Sequence, residues 1–377
     1  MNLINKKNWK LFSAVAVLSG TVIGAGFLGI PYVVAKSGFI IGFLWMIIIC
    51  FIMMFVNLLL GEIILSSKTF HHIPGYASKY LGEKTKMFVF FASIFGLYAA
   101  LTAYLLGEGE SLSFIFTGSL KYSFLAGILF WILMAIFTFK GIKSFKRIEP
   151  LAVLIVFFVV TIIGILDFSK INLANLAHIN FSFAFLPFGV ILFAFLGVSA
   201  IPEIRRILNR DKILMKKAII IGSLIPLFVY ILFTLLVLGL HGSQVQEIAT
   251  LSLGKFVVLL GIFTMFTAFL ALNLALQDTY RFDFNFSLRK AWIFSSLLPF
   301  AFFFIIKLFS LAGFVKILSL GGVVSGGLLG IAIILIHSHL KTKKLHRKPE
   351  FSINVPLTLK ILIILLFILG IVYEFLI

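Results

Sequence analysis

Residues Ser19–Gly38 read SGTVIGAGFLGIPYVVAKSG, and the fold turns on how this stretch is understood. It lies in the first long apolar run, where a membrane-crossing helix is expected. Yet Gly20, Gly24, Gly26, Gly29 and Pro31 fall within twelve residues. Each interior Gly costs a helix about 1 kcal/mol relative to Ala, and an interior Pro about 3 kcal/mol. A simple anchor has no need of such weakness. At membrane depth, freed backbone groups are tolerated only where protein or a water-filled cavity surrounds them. The stretch is therefore expected to be an unwound joint at Gly24-Ala25-Gly26 whose backbone binds a ligand.

The 377-residue chain is 62% hydrophobic and 12% charged, with a mean hydropathy of +1.18. A soluble fold of this size could not cover so much apolar side chain. The class that remains is an all-α polytopic membrane protein. The single cysteine, Cys50, excludes an intrachain disulfide framework and a multi-cysteine metal site. The histidines show no metal-ligand spacing, and His337, His339 and His346 are read as part of a basic loop before the last span. No P-loop is present, so ATP hydrolysis by that route is excluded. A net charge of +19 would suit nucleic acid only on a basic soluble face. Here the basic residues lie in short loops between apolar runs, so membrane topology explains them without a nucleic-acid partner. Lys6, Lys7 and Lys10 precede the first apolar run as in a signal peptide. That run is too long, lacks a small-x-small cleavage context and is followed by further spans.

A span needs about 20 apolar residues. Eleven are expected, at about 11–36, 39–65, 87–107, 122–140, 151–167, 183–202, 214–240, 255–279, 291–308, 312–337 and 357–376. The loops are short, so residues 1–377 form a single membrane domain. Assigning Lys and Arg to alternating sides puts 26 of the 32 on the side of the N-terminus. By the positive-inside rule the N-terminus is cytoplasmic and the C-terminus lies outside, in a multi-pass protein of the cell membrane surrounded by lipid. Span 6 reads LPFGVILFAFLGVSAIPEIRR and carries Pro187, Gly189, Gly197 and Pro202. Spans 1 and 6 run in opposite directions, and both are punctuated. Two interrupted spans at matching places in two halves point to an inverted repeat with a transport site at the bilayer midplane. Repeat one covers about 11–167, repeat two about 183–337, and an additional helix about 357–376.

GTVIGAGFLGIPYVVAKSG in span 1, AYLLGEGESL after span 3 and LPFGVILFAFLGVSAIPEI in span 6 resemble the amino acid/auxin permease family. The branch most similar is that of the prokaryotic aromatic amino acid permeases, with TAFLALNLALQDTY in span 8 a weaker match. The resemblance implies membership of the amino acid-polyamine-cation superfamily and a LeuT-type five-plus-five inverted repeat with an eleventh helix. It also implies secondary transport of amino acids coupled to protons or sodium.

In span 1, Ile23, Gly24, Ala25 and Gly26 are the candidate substrate contacts: unwinding exposes amide N–H groups, and the half-helix beyond presents its positive dipole end to a carboxylate. The alternative for these glycines is close helix packing. In span 6, Phe193, Ala194, Phe195 and Gly197 occupy the matching middle, with carbonyls for an ammonium and rings for a wall or gate. Tyr104 in span 3 either reaches the pocket, as the resemblance implies, or sits at the outer interface. For the coupling ion no carboxylate is read at mid-span, because Glu62, Glu203 and Asp278 fall near cytoplasmic ends and Glu108 and Glu110 near the external end of span 3. Sodium would instead use carbonyls near Thr21 and Val22 with the hydroxyls of Thr264 and Thr267; the choice between H+ and Na+ stays open. Glu203, beside Arg205 and Arg206, is a candidate cytoplasmic gate latch or a solvated end-of-helix charge. The expected function is an ion-coupled importer of a neutral, aromatic or branched amino acid, with no cofactor and no covalent catalysis. A sensor of the same fold, binding without transport, is the alternative.

Overall fold

The computed structural model describes residues 3–67, 71, 73–139, 149–209, 211–342 and 347–376, and these are predominantly helical, with no strand among them. Span 1 is α1 (Leu3–Val22), a 3-10 segment (Ala25–Gly29) and α2 (Ile30–Ser37). It is followed by α3 (Phe39–Ser66), the short α4 (Ile73–Leu81), α5 (Glu83–Thr117), α6 (Ser123–Phe139) and α7 (Glu149–Leu166). The second half holds α8 (Pro187–Ala194), α9 (Ile201–Leu208), α10 (Met215–His241), the short α11 (Ala249–Ser252), α12 (Lys255–Asp283) and α13 (Leu288–Phe309). It continues through α14 (Phe314–Gly321), a π-helical stretch (Gly322–Gly327) and α15 (Leu328–Thr342), and α16 (Leu357–Leu376) closes the chain.

Among the described residues, eight helical segments are long and apolar enough to cross a membrane. The pair Lys7–Val22 and Ala25–Ser37, bent by 43°, makes a ninth. At the fourth and fifth expected crossings stand α6 and α7, with 17 and 18 residues, at the lower limit for a span. The basic segments 140–148 and 343–346, counted in the charge asymmetry, lie outside the described residues. The helices are not equally central. Pro187–Leu208 and Phe314–Thr342 each have 78% of their apolar window buried, against 22% for Leu288–Phe309 and for Leu357–Leu376. Spans 6 and 10 therefore form the interior, and α13 and α16 present bulky apolar side chains outward, as a lipid-facing helix must.

Span 3 departs from its expected bounds. Polar GEGE after Leu106 reads as the end of a crossing, but α5 runs on to Thr117 and stops at Gly118, which adopts φ +70 and donates its N–H to Phe114 O. A left-handed residue at this position ends a helix cleanly, and Gly takes it without strain. Glu108 and Glu110 consequently lie inside the helix. Gly38 turns the chain between α2 and α3 with φ +101. A side-chain carbon there would come within 2.1 Å of His178 O. The 3-10 turns between 168 and 183 are tied to this end, since Asn180 N donates to Ser37 O (2.9 Å) and Asn172 N to Gly239 O (2.9 Å).

Candidate functional site

Both punctuated spans are broken. Helix α1 ends at Val22, Gly24 is extended (φ −85, ψ −150), and the backbone resumes as the tighter 3-10 segment before Pro31 starts α2 in its first turn. Pro fits that position because its missing N–H would have had no helical partner. In span 6, α8 ends at Ala194, Leu196 and Gly197 take no helical form, and α9 restarts with Pro202 in its first turn. The two breaks lie against each other. A side-chain carbon on Gly26 would sit 2.9 Å from Ala194 Cα and 3.0 Å from the Phe193 ring, and one on Gly197 would sit 2.9 Å from Val22 Cγ2. Gly26 is thus required for close approach of one backbone to the other, whereas Gly197 leaves room for the side chains of Leu18 and Val22. Gly24 has a different neighbour: its added carbon would meet the Tyr104 hydroxyl at 3.3 Å. Tyr104 is buried at this joint and is not an interfacial residue.

Ile23, Ala25, Gly26, Ala194, Phe195 and Gly197 are likewise buried, and Gly24 and Phe193 partly so. The Phe193 ring stands between Gly26 and Gly321 of α14, whereas the Phe195 ring packs against Tyr230 at 5.0 Å. Tyr230, in the middle of α10, is the residue that the sequence reading misses. Its hydroxyl lies 2.7 Å from Val22 O and 2.9 Å from Ala194 O, and its ring stacks on Phe27. One hydroxyl proton thus serves two carbonyls freed by the two breaks, one of them in the expected ion site and the other in the expected ammonium site. A lone tyrosine at mid-span was the available signal, since a buried phenol needs a polar partner.

The hydroxyls considered for sodium all bond back onto their own helices. Thr21 donates to Val17 O (2.9 Å), Thr264 to Gly261 O (2.9 Å), and Thr267 to Phe263 O and Thr264 O (both 3.1 Å). Such bonds use the proton and leave oxygen lone pairs for a cation. Glu203 is exposed and makes no ion pair with a described residue. The ion pair of this region joins Lys10 to Asp211 at 2.5 Å.

Two ionisable residues differ from their expected settings. His337 belongs to α15, not to a loop, and is fully buried. Its Nε2 lies 3.0 Å from Glu62 Oε2, and Glu62 also accepts from Lys341 Nζ (2.5 Å), Ser352 Oγ (3.1 Å) and Ile353 N (2.8 Å). This cluster closes the end of the bundle between α3, α15 and the segment before α16. Glu108 is wholly buried, and neither carboxylate oxygen has a hydrogen-bond partner among the described residues. A carboxylate buried within span 3 is therefore present, because the helix continues where GEGE reads as its end. Among the described residues no group of three or more His, Cys, Asp or Glu side chains could hold a metal ion.

An all-helical, multi-crossing chain whose two interrupted spans meet in its interior has the architecture of a membrane transporter. Residues 7–376 match the tryptophan/tyrosine permease family, and the chain belongs to that family. It is 25% identical to glutamine transporter 2 of Aliivibrio fischeri over 291 residues, covering 72% of this chain and 75% of that protein. It is 27% identical to tyrosine-specific transport system 2 of Haemophilus influenzae over 252 residues, 63% of this chain and 59% of the relative. A tryptophan-specific transport protein of Pseudomonas aeruginosa is 26% identical, over 61% of this chain and 57% of its own length. Family and relatives are those of an amino acid permease, not of an enzyme.

Proposed function

We propose that this chain is a secondary active importer of neutral amino acids, driven by a proton or sodium gradient and working by alternating access. The observation that carries the reading is the meeting of two broken spans at Gly26 and Ala194, with Tyr104 against Gly24. Broken half-helices facing one another offer amide N–H groups to a carboxylate and carbonyls to an ammonium, which are the groups every amino acid carries. The substrate class follows the glutamine, tyrosine and tryptophan that name the relatives, all neutral at pH 7. Phe193 and Phe195 supply the apolar walls for such side chains.

In this reading the architecture is the LeuT-type five-plus-five repeat, with α16 as the eleventh helix and the N-terminus cytoplasmic. The buried joint is an occluded state. Tyr230 holds Val22 O and Ala194 O together in the closed arrangement, and substrate or ion takes these carbonyls over as it binds. The sensor reading has no observation in its favour. Counterflow tests the proposal: vesicles loaded with unlabelled L-glutamine or L-tyrosine should draw in the labelled amino acid transiently above its external concentration. Labelled amino acid that binds without crossing contradicts it.

A further inference from the structure

We propose that Glu108 is the group that carries the coupling proton, binding it from outside and releasing it inside once per transport cycle. The inference rests on the transporter reading above and assigns its coupling chemistry to one residue. Glu108 lies four residues beyond Tyr104 on α5, so the two share a helix face one turn apart. Tyr104 touches the break at Gly24. The carboxyl is therefore one helical turn from the tyrosine that meets the joint, and it has 0% exposure.

Its surroundings offer no compensation for a negative charge. Both carboxylate oxygens lack a hydrogen-bond partner among the described residues, as does Ser111 Oγ a turn further on. Next to it, Gly107 faces Met265 Sδ and the Phe314 ring, and Gly109 faces Ser123 O and Gly127. The charged groups of the packed elements are engaged elsewhere. On α5 itself, Glu110 pairs with Lys307 of α13 at 2.9 Å. At the start of α14, Glu247 accepts from Val315 N (3.2 Å), and Lys316 pairs with Glu374 at 3.0 Å. Between Phe256 and Gln277, α12 has no charged side chain, and α6 has none along its length. An ionised carboxylate left unpaired and out of water costs several kcal/mol, a cost that a protonated one avoids.

The consequence is a gating rule. When the site opens outward, water reaches Glu108, and its carboxylate takes a proton to form an O–H bond. Closure over the amino acid is cheap only with that bond in place. When the site opens inward, water returns and accepts the proton as the amino acid leaves; the emptied site then reopens outward with water still around the charged carboxylate, so the next proton is again taken from outside. Glutamine has the shape of the protonated acid, so Glu108→Gln mimics the loaded form permanently.

Proteoliposomes with labelled L-glutamine and L-tyrosine decide the matter. Wild type should accumulate label when the outside is acidic, with an internal pH dye reporting acidification that depends on the amino acid. E108Q should still exchange internal for external amino acid, with a rate no longer set by pH, while its proton-driven accumulation falls by about tenfold or more. Accumulation by E108Q at the wild-type level overturns the assignment. So does wild-type accumulation on a sodium gradient without acidification, a result that stands even if E108Q is not recovered folded. Wild type that neither exchanges nor accumulates any amino acid removes the transporter reading itself, and the proposal with it.

Discussion

Gly26 and Gly24 sit two residues apart and do different work. A carbon on Gly26 meets Ala194 Cα, which is backbone and cannot swing away, whereas a carbon on Gly24 meets only a hydroxyl at 3.3 Å. Overpacking of the first kind costs roughly 1–3 kcal/mol. Gly26→Val should therefore cut uptake by about tenfold or more while Gly24→Ala keeps a measurable fraction, each read as initial rate per folded transporter. Equal loss in both would contradict the packing assigned to Gly26. Tyr230→Phe removes the proton shared by Val22 O and Ala194 O. A lost buried hydrogen bond costs about 1–3 kcal/mol, which should appear as a lower thermal midpoint in detergent. The glycines were legible in the sequence because Gly and Pro are costly in a membrane helix. Tyr230 was not, since its partners are carbonyls released from α-helical pairing only where two distant segments unwind and meet.

At the scale of elements, reading errors came from where helices end. GEGE looks like a polar terminus, yet the residue that stops α5 is Gly118, and the extension carries Glu108 into the interior. His337 looks like part of a basic loop because Lys341 to Lys348 follow it, yet α15 runs to Thr342. Its partner Glu62 ties α3 to α15 and to Ile353. Removing one member of a buried ionic cluster costs about 3–5 kcal/mol, since the others lose their compensation. Glu62→Ala should lower the thermal midpoint accordingly, and an unchanged midpoint would show that the cluster contributes nothing. A second tie lies at the start of span 1, where Lys10 bonds Asp211 in the α9–α10 turn. That hydrogen bond first, and then the charges of Lys10 and Lys7, hold the Asp211 carboxyl below the usual aspartate range. A carboxyl lowered on folding contributes stability above its unfolded range and loses it as pH falls through the folded value. Amide-exchange protection in the first turns of α1, corrected for intrinsic rate, should therefore fall at acid pH in wild type. In Asp211→Asn it should be lower at neutral pH and independent of this titration.

For the whole molecule, the pattern of burial carries the argument. Spans 6 and 10 are the most enclosed and α16 among the least, which places the second interrupted span in the interior and the last helix at the lipid face. The paired interruptions were visible in the sequence as two clusters of Gly and Pro in oppositely directed spans. The crossings at α6 and α7 were harder to delimit, because apolar runs of 17 and 18 residues sit at the margin of bilayer thickness. Import against a gradient is the central claim, and uptake into proteoliposomes measures it directly. Purified wild-type protein with labelled L-glutamine, L-tyrosine and L-tryptophan should accumulate at least one of them when an inward proton or sodium gradient is imposed, and not when the gradient is collapsed. Saturable binding of these amino acids with no gradient-driven accumulation would contradict the account.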